Sequence, residues 1–338
     1  MKKLTSMLLA GVAVMAAQVA GQAKEMQIST WVPPSHSINK QLEVWADEIE
    51  AETGGSLEVN IYPSSQLGAA PDHYDMARDG IAEMTMVGPS YSPGRFPLWA
   101  LNEIPFQFAN TTTGARAFHE WYAEYIPTEM PDVHVCFVTI HHPGALNFSK
   151  SGVKVPADMK GLRMRPGGPT MAEWMTSLGA NTVSAALPEV KELADRGVID
   201  GVMLPWDMVL FGIHEAMPYH IDEPFYVGAQ AYLINQNFYD GLSDSERAVI
   251  DKHCGPDVSE KFSTKWYEEQ RVFRQQLIDD PKQEVYELTP EERTLWMATA
   301  GPVAEKAYQD VTDKWDIDGT EAGEKLKAKL KEYGALVE

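Results

Sequence analysis

Cysteine is nearly absent from the 338 residues: Cys136 and Cys254 are the only two, 118 positions apart. Two thiols at that spacing build neither a disulfide framework nor a zinc site, and whether they pair stays open. Basic residues are outnumbered, 28 Lys and Arg against 49 Asp and Glu, for a net charge of −21. That excess argues against nucleic acid or an anionic membrane surface as a partner. It leaves room for a small anion, because a local arginine pocket can oppose the global field. Beyond the N-terminus no stretch approaches the roughly 20 continuous apolar residues of a membrane helix. Catalytic signatures are missing too: there is no Gly-x-Ser-x-Gly elbow, no P-loop and no His-Glu-x-x-His. His214-Glu215 is followed by His220, but Pro218 interrupts the spacing. Asp316-Ile317-Asp318-Gly319 imitates a calcium loop whose first and twelfth positions would be Lys314 and Lys325, which cannot ligate a cation. His141-His142 are adjacent at a strand end, so they point to opposite faces and make no metal pair. No catalytic set, cofactor site or metal centre emerges.

What is present starts with Lys2-Lys3, a short positive region, followed by the apolar run Leu8 to Ala20 and the small residues Gly21-Gln22-Ala23. The run is too short to span a bilayer and reads as a secretory signal peptide over residues 1–23, cleaved near Ala23. Its removal takes Lys2 and Lys3 and no acid, leaving 26 basic against 49 acidic groups, a net charge of −23. The expectation is a soluble, exported protein. About 315 mature residues exceed one comfortable core, so two domains are expected.

Met26 to Trp31 reads as a buried strand entering the turn Val32-Pro33-Pro34-Ser35-His36-Ser37. Leu42, Trp45, Ala46 and Ile49 follow at helical spacing, stopped by Gly54-Gly55. Leu57 to Tyr62 alternates as a strand, Asp72 to Arg78 is helical, and Ile81 to Val87 is a third strand entering Gly88-Pro89-Ser90-Tyr91. This alternation means βαβ units with parallel pairing. Further on, Thr113 to Tyr125, Pro169 to Leu178 and Glu189 to Arg196 read as helices; Val133 to Ile140 and Val198 to Leu204 read as strands. The last third is largely helical, with capping boxes at Ser243–Glu246 and Thr289–Glu292 and an unbroken run from Lys265 to Asp279. No internal repeat or low-complexity linker is visible.

Gly161-Leu162-Arg163-Met164-Arg165-Pro166-Gly167-Gly168-Pro169 is the stretch with the clearest chemistry. On a strand Arg163 and Arg165 share a face, with Leu162 and Met164 on the other. A planar guanidinium suits two-pronged capture of a carboxylate, and the glycines bring backbone close to whatever Arg165 holds. The alternative is a pair of surface arginines in solvated ion pairs. Trp31, Tyr91 and Trp206 each lie at or just past a strand end, where open α/β sheets bind ligands, and are candidates for stacking.

Six segments, in order, resemble one family over essentially the whole mature chain. They are Thr30-Trp31-Val32-Pro33-Pro34-Ser35-His36; Tyr62-Pro63-Ser64-Ser65-Gln66-Leu67-Gly68; Asp79-Gly80-Ile81-Ala82-Glu83-Met84; Pro93-Gly94-Arg95-Phe96-Pro97-Leu98 with Ile104-Pro105-Phe106; Asp158 to Arg165; and Gly197-Val198-Ile199-Asp200-Gly201. The chain resembles the extracytoplasmic solute-binding protein of a tripartite ATP-independent periplasmic (TRAP) transporter, of the dicarboxylate type. The resemblance implies an α/β fold of the two-lobed periplasmic binding protein kind (type II-like), with mixed sheets flanked by helices and a long helix bridging the lobes. It implies a periplasmic location, a small organic acid closed between the lobes, Arg165 as its carboxylate anchor, and delivery to the membrane permease subunits. Lobe I is expected over 24–142 plus 230–270, and lobe II over 143–229 plus 271–338.

The sequence also departs from the family pattern of sugar-acid binders. Ala145 stands where they carry a second arginine, Leu204 where they carry an asparagine, and no aromatic ring is found near Leu187. A polyhydroxylated acid would leave hydroxyls unpaired in such a site. The His141-His142-Pro143-Gly144 turn, with Pro93 to Pro97, resembles a subgroup for apolar or aromatic monocarboxylates. The expected ligand-binding set is Arg165, Trp206, Tyr91, Trp31, His36, Arg163, His142 and Leu204, with Arg163 as support and Phe211 as a further apolar neighbour. A sensory binding module would need the same trap, and an exported hydrolase using His141 or His142 would need a nucleophile motif that is missing.

Overall fold

Why two sheets form is legible from where the strands stop. A computed structural model describes residues 23–337; the signal peptide expected over 1–23 lies almost wholly outside the described residues. The strands are β1 (Lys24–Ser29), β2 (Leu57–Tyr62), β3 (Met84–Val87), β4 (Val133–Ile140), β5 (Gly144–Phe148) and β6 (Arg163–Arg165). They continue with β7 (Asn181–Thr182), β8 (Gly201–Leu204), β9 (Tyr219–Tyr226), β10 (Ala229–Asn235) and β11 (Glu284–Tyr286). Sheet one runs β2-β1-β3-β10-β4 and sheet two runs β11-β9-β5-β8-β6-β7. β1, β2 and β3 pair in parallel, as the helices between them require, and β10 inserts antiparallel between β3 and β4. Both sheets are therefore mixed.

The chain crosses between sheets at His141-His142-Pro143 and returns at Val227-Gly228; the two crossings touch where the His141 N–H donates to the Gly228 carbonyl, 3.3 Å. The helix Pro256–Asp279 is the long connector, nine residues longer at its start than the expected run from Lys265. It seals the exposed edge of sheet one: the Ser259 and Ser263 hydroxyls accept the Val138 and Ile140 N–H groups of edge strand β4, both at 3.0 Å. Its far end buries Leu277 beside Ala145 and Trp206 in the second lobe. A disulfide joins Cys136 in β4 to Cys254 just ahead of this helix.

One boundary needs correction. Residues 271–338 were expected in lobe II, but the helices Gly301–Trp315 and Gly319–Glu332 bury Val311, Leu326 and Leu330 with Trp99, Phe118 and Trp121 of the first lobe. The Trp121 Nε1–H donates to the Ala322 carbonyl at 3.0 Å, and the Ala109 N–H donates to the Ala335 carbonyl at 2.8 Å. The apolar stripes of these helices fit the open side of helix Thr111–Tyr122, so the chain leaves lobe I, folds lobe II, and comes back to finish lobe I. Phe106 goes the other way. It buries among Trp174 and Phe225 of lobe II and its N–H donates to the Phe225 carbonyl at 2.9 Å.

Candidate ligand-binding site

Arg165 ends β6, which is held between β7 and β8 with Arg165 opposite Val202. Its side chain is 4% exposed. Nε and Nη2 both donate to the Ala185 carbonyl, at 3.0 and 2.9 Å, which fixes the back of the fork. Nη1 has no hydrogen-bond partner and no carboxylate lies within ion-pair distance of the guanidinium, among the described residues. A buried cation in this state is costly unless an anion joins it.

The cleft it faces encloses a cavity of only about 60 Å³, below the roughly 300–1,000 Å³ usual for small-ligand sites, so a ligand must part the lobes to enter. Lobe I lines it with Trp31, Val32, His36 and Tyr91; lobe II with Arg165, Leu187, Leu204 and Asp207; the crossing segments and the long helix add His141, Tyr226 and Trp266. Trp31 and Tyr91 meet edge to face at 5.9 Å. Tyr226 is clamped, because a Cβ on Gly144 or Gly167 would stand 2.1 or 2.3 Å from its ring. Burial pushes its hydroxyl well above the ordinary phenol range, against the pull of Arg165. His141 is held down to about 4 by burial, so it is a neutral ring near pH 7.

The lobes also touch through polar groups. The Leu187 N–H donates to the Tyr91 hydroxyl at 3.2 Å, and His36 Nε2 lies 3.2 Å from Asp207 Oδ2. Beneath the cleft, the Glu103 carboxylate of lobe I takes the Ser90 hydroxyl and presses on Gly168 of lobe II. Burial pushes it up to about 7, opposed by the Ser90 hydroxyl, Thr170 and the Arg165 charge.

Arg165, Trp31, Tyr91, His36 and Leu204 are thus brought together. Three other expected site residues lie elsewhere. Trp206 is buried with Ala145 and Leu277, edge-on to His220, and its neighbour Asp207 takes the cleft position. His142 stacks on Tyr267 at 4.8 Å while His141 faces the cleft, the outcome of opposite-facing neighbours. Arg163 is half-exposed and forks onto Asp200, Nε to Oδ2 at 2.9 Å and Nη2 to Oδ1 at 2.7 Å, which tightens β6 against the start of β8. Phe211 packs against the large core cluster and does not line the cleft. Asp207, Tyr226, Trp266 and Glu103 were not legible in the sequence.

A wider groove of about 430 Å³ opens beside Ser90, between Pro93–Pro97, Pro169–Glu173 and Lys306–Lys314. Its lysines are already engaged, Lys306 by Asp310 and Glu173 and Lys314 by the Gly94 carbonyl. It therefore lacks the uncompensated cation of the inter-lobe cleft. No group of three or more His, Cys, Asp or Glu side chains suits a metal ion among the described residues.

Two α/β lobes joined by crossing strands, with a buried and unneutralised arginine between them, define a solute trap. The chain belongs to family 7 of the bacterial extracellular solute-binding proteins, whose model matches residues 28–310. It is 25% identical over 214 residues to the 2,3-diketo-L-gulonate-binding periplasmic protein YiaO of Escherichia coli, a match covering 60% of this chain and 64% of that protein. Among solved structures it is similar to a TRAP solute-binding protein of Rhodoferax ferrireducens in complex with benzoate, at 26% identity and a TM-score of 0.87, covering 92% of this chain and 98% of the other. Identity and TM-score are the same for a marine metagenome TRAP protein from an unidentified microbe, specific for aromatic acids and bound to 3-hydroxybenzoate, with 92% and 99% coverage. The family is one of binding proteins, so the hydrolase reading falls. No helix among the described residues is long and apolar enough to cross a membrane.

Proposed function

We propose that this protein is the extracytoplasmic subunit of a TRAP transporter, exported by its N-terminal segment, that captures a small aromatic monocarboxylate and presents it to a membrane permease. The observation that carries this reading is Arg165: a guanidinium buried in a cleft, held from behind by the Ala185 carbonyl and lacking an anionic partner among the described residues. A carboxylate meeting its open edge contributes about 1.5–3 kcal/mol net. Trp31, Tyr91, Tyr226, Trp266, Leu187 and Leu204 supply apolar walls for the rest of the ligand. The benzoate and 3-hydroxybenzoate held by the two TRAP proteins support that chemistry. Closure follows because the ligand touches both lobes, and contact with both favours the shut state.

A thermal-shift panel of benzoates, 2-oxo acids, dicarboxylates and zwitterions tests this. Ligand at 100 times its dissociation constant adds about 2.7 kcal/mol, a shift of several degrees. Benzoates are expected to give it, and Arg165→Lys to weaken binding at least tenfold by calorimetry, since a point charge cannot replace the fork. A panel in which only neutral or cationic compounds shift the protein, or a lysine variant with unchanged affinity, refutes the assignment.

A further inference from the structure

The cleft holds a second buried charge that the anchoring of a carboxylate leaves unused. Asp207 is 2% exposed and lines the cavity from the lobe II side. Its Oδ2 is saturated: the Trp266 Nε1–H donates to it at 2.8 Å, and His36 Nε2 lies at 3.2 Å. The His36 tautomer follows from its other nitrogen. Nδ1 accepts the Ile38 N–H at 3.1 Å, capping helix Ser37–Glu52, so the ring proton sits on Nε2 and donates to Asp207. An imidazole whose Nδ1 is an acceptor is neutral, and the negative charge of Asp207 is therefore solvated by two neutral donors on one oxygen. Oδ1 accepts no hydrogen bond from any described residue. Oδ1 keeps contact with the open cleft, and once a ligand covers it a carboxylate oxygen without a donor is costly, so the ligand must bring one.

The surroundings say what can bring it. Arg165 stands in the same cavity as the only buried guanidinium among its lining residues, and Tyr226 lies where both charges act on it. The walls carry aromatic and aliphatic groups, Trp31, Tyr91, Leu187, Leu204 and Trp266, with Ser90, His141 and Gln230 as further polar side chains of the lining. The complement of this arrangement is a flat apolar body with a carboxylate at one end and a hydrogen-bond donor away from it. A ring lacking that donor would seal Asp207 Oδ1 against carbon.

We propose that Asp207 is the second polar anchor of the cleft, accepting through Oδ1 a hydrogen bond from a hydroxyl group that the ligand carries on its ring, away from its carboxylate. This rests on the aromatic-carboxylate reading and narrows it to hydroxyarylcarboxylates. His36 and Trp266 act as positioning residues, holding Oδ2 so that Oδ1 is the oxygen presented.

Calorimetry on the wild-type chain with benzoate, 3- and 4-hydroxybenzoate, their methoxy analogues and 3-(aminomethyl)benzoate tests it. At least one hydroxybenzoate is expected to bind tenfold or more tightly than both benzoate and its own methoxy analogue, which matches its reach but has no proton to give. In Asp207→Asn the amide must turn its oxygen to Trp266 and His36, leaving an NH2 group toward the ligand. The hydroxyl advantage should then fall below about threefold while benzoate still binds. Equal wild-type affinity for hydroxy, methoxy and unsubstituted rings overturns the proposal, and so does an advantage that survives in Asp207→Asn. Preference for the aminomethyl compound overturns the hydroxyl in favour of an ammonium group. If no arylcarboxylate binds the wild type, the aromatic-carboxylate reading itself fails and takes this proposal with it. The wild-type series stands without the variant, should the variant not fold.

Discussion

Glu103 gives a prediction whose sign and size both follow from its position. Its carboxyl is 1% exposed, wedged between Ser90 of lobe I and Gly168 of lobe II, and burial pushes it up to about 7 from an ordinary 4.5. Below pH 4.5 it is protonated whether the chain is folded or not, and it contributes no pH dependence. Between 4.5 and 7 the unfolded chain releases the proton while the folded chain keeps it, so stability falls as pH rises. Above 7 both states are ionised and the loss is complete. A displacement of this size corresponds to about 3 kcal/mol in total, most of which falls between pH 5 and pH 8. Glu103→Gln keeps an oxygen for the Ser90 hydroxyl and cannot ionise. Urea denaturation followed by tryptophan fluorescence at pH 5, 6, 7 and 8 should show the variant gaining on the wild type by that amount across the range. Glu129, also pushed up to about 7 by burial, is common to both proteins and cancels in the difference. Parallel pH profiles for wild type and variant refute the reasoning.

The same group reports on ligand capture. Arg165 is among the influences that draw the Glu103 carboxyl down. A bound carboxylate neutralises that arginine, so Glu103 rises further and takes up part of a proton near pH 7. Calorimetry in buffers of different ionisation enthalpy should detect this uptake in the wild type and not in Glu103→Gln.

Other parts of the structure yield simpler outcomes. Glu129 accepts the Leu98 and Trp99 N–H groups and the Tyr122 hydroxyl, each at 2.8 Å, so Glu129→Ala orphans three buried donors and should cost about 3 kcal/mol or more in chemical denaturation. Gly167→Ala forces a Cβ toward the Tyr226 ring, which cannot retreat because Gly144 backs its other edge. Overpacking of that kind costs about 1–3 kcal/mol, and calorimetry should find affinity for aryl acids down tenfold or more with secondary structure intact by circular dichroism. Replacing Cys136 and Cys254 together by serine opens a crosslink 118 residues long and should lower unfolding stability by about 2–4 kcal/mol, with ligand affinity at the cleft unchanged.

Local pattern carried most of the fold. Turn chemistry and alternation from Met26 to Val87 located the first three strands, and both capping boxes formed, with the Ser243 and Thr289 hydroxyls accepting the Glu246 and Glu292 N–H groups. The signal failed where pairing is non-local. In β9 the run Tyr219 to Tyr226 contains Pro224, a residue that argues against a strand. It is tolerated beside β5, where the register shifts between Gly144 and Leu146. The helices Gly301–Trp315 and Gly319–Glu332 have apolar stripes that fit either lobe in principle. Only the three-dimensional location of the exposed side of helix Thr111–Tyr122 decides which.

The site was legible to within one residue, and there one residue separates cleft from core. Trp206 and Asp207 open the same 3-10 turn, where successive side chains point about 120° apart, so only one of them faces the cleft. An aromatic at a strand end is a reasonable stacking candidate, yet the indole fills the gap beside Ala145 and Leu277, and the carboxylate is turned to His36 and Trp266. The pair His141 and His142 divides in the same way, one ring to the cleft and one onto Tyr267. Arginine escaped this ambiguity because its alternation was readable: Arg163 and Arg165 share a face, and only the second reaches the turn where the lobes meet. Polar specificity is the harder thing to read. Asp207 turns one oxygen away from the cleft because a histidine 171 positions earlier and a tryptophan 59 positions later occupy it, a contact that exists only once both lobes and the long helix are in place.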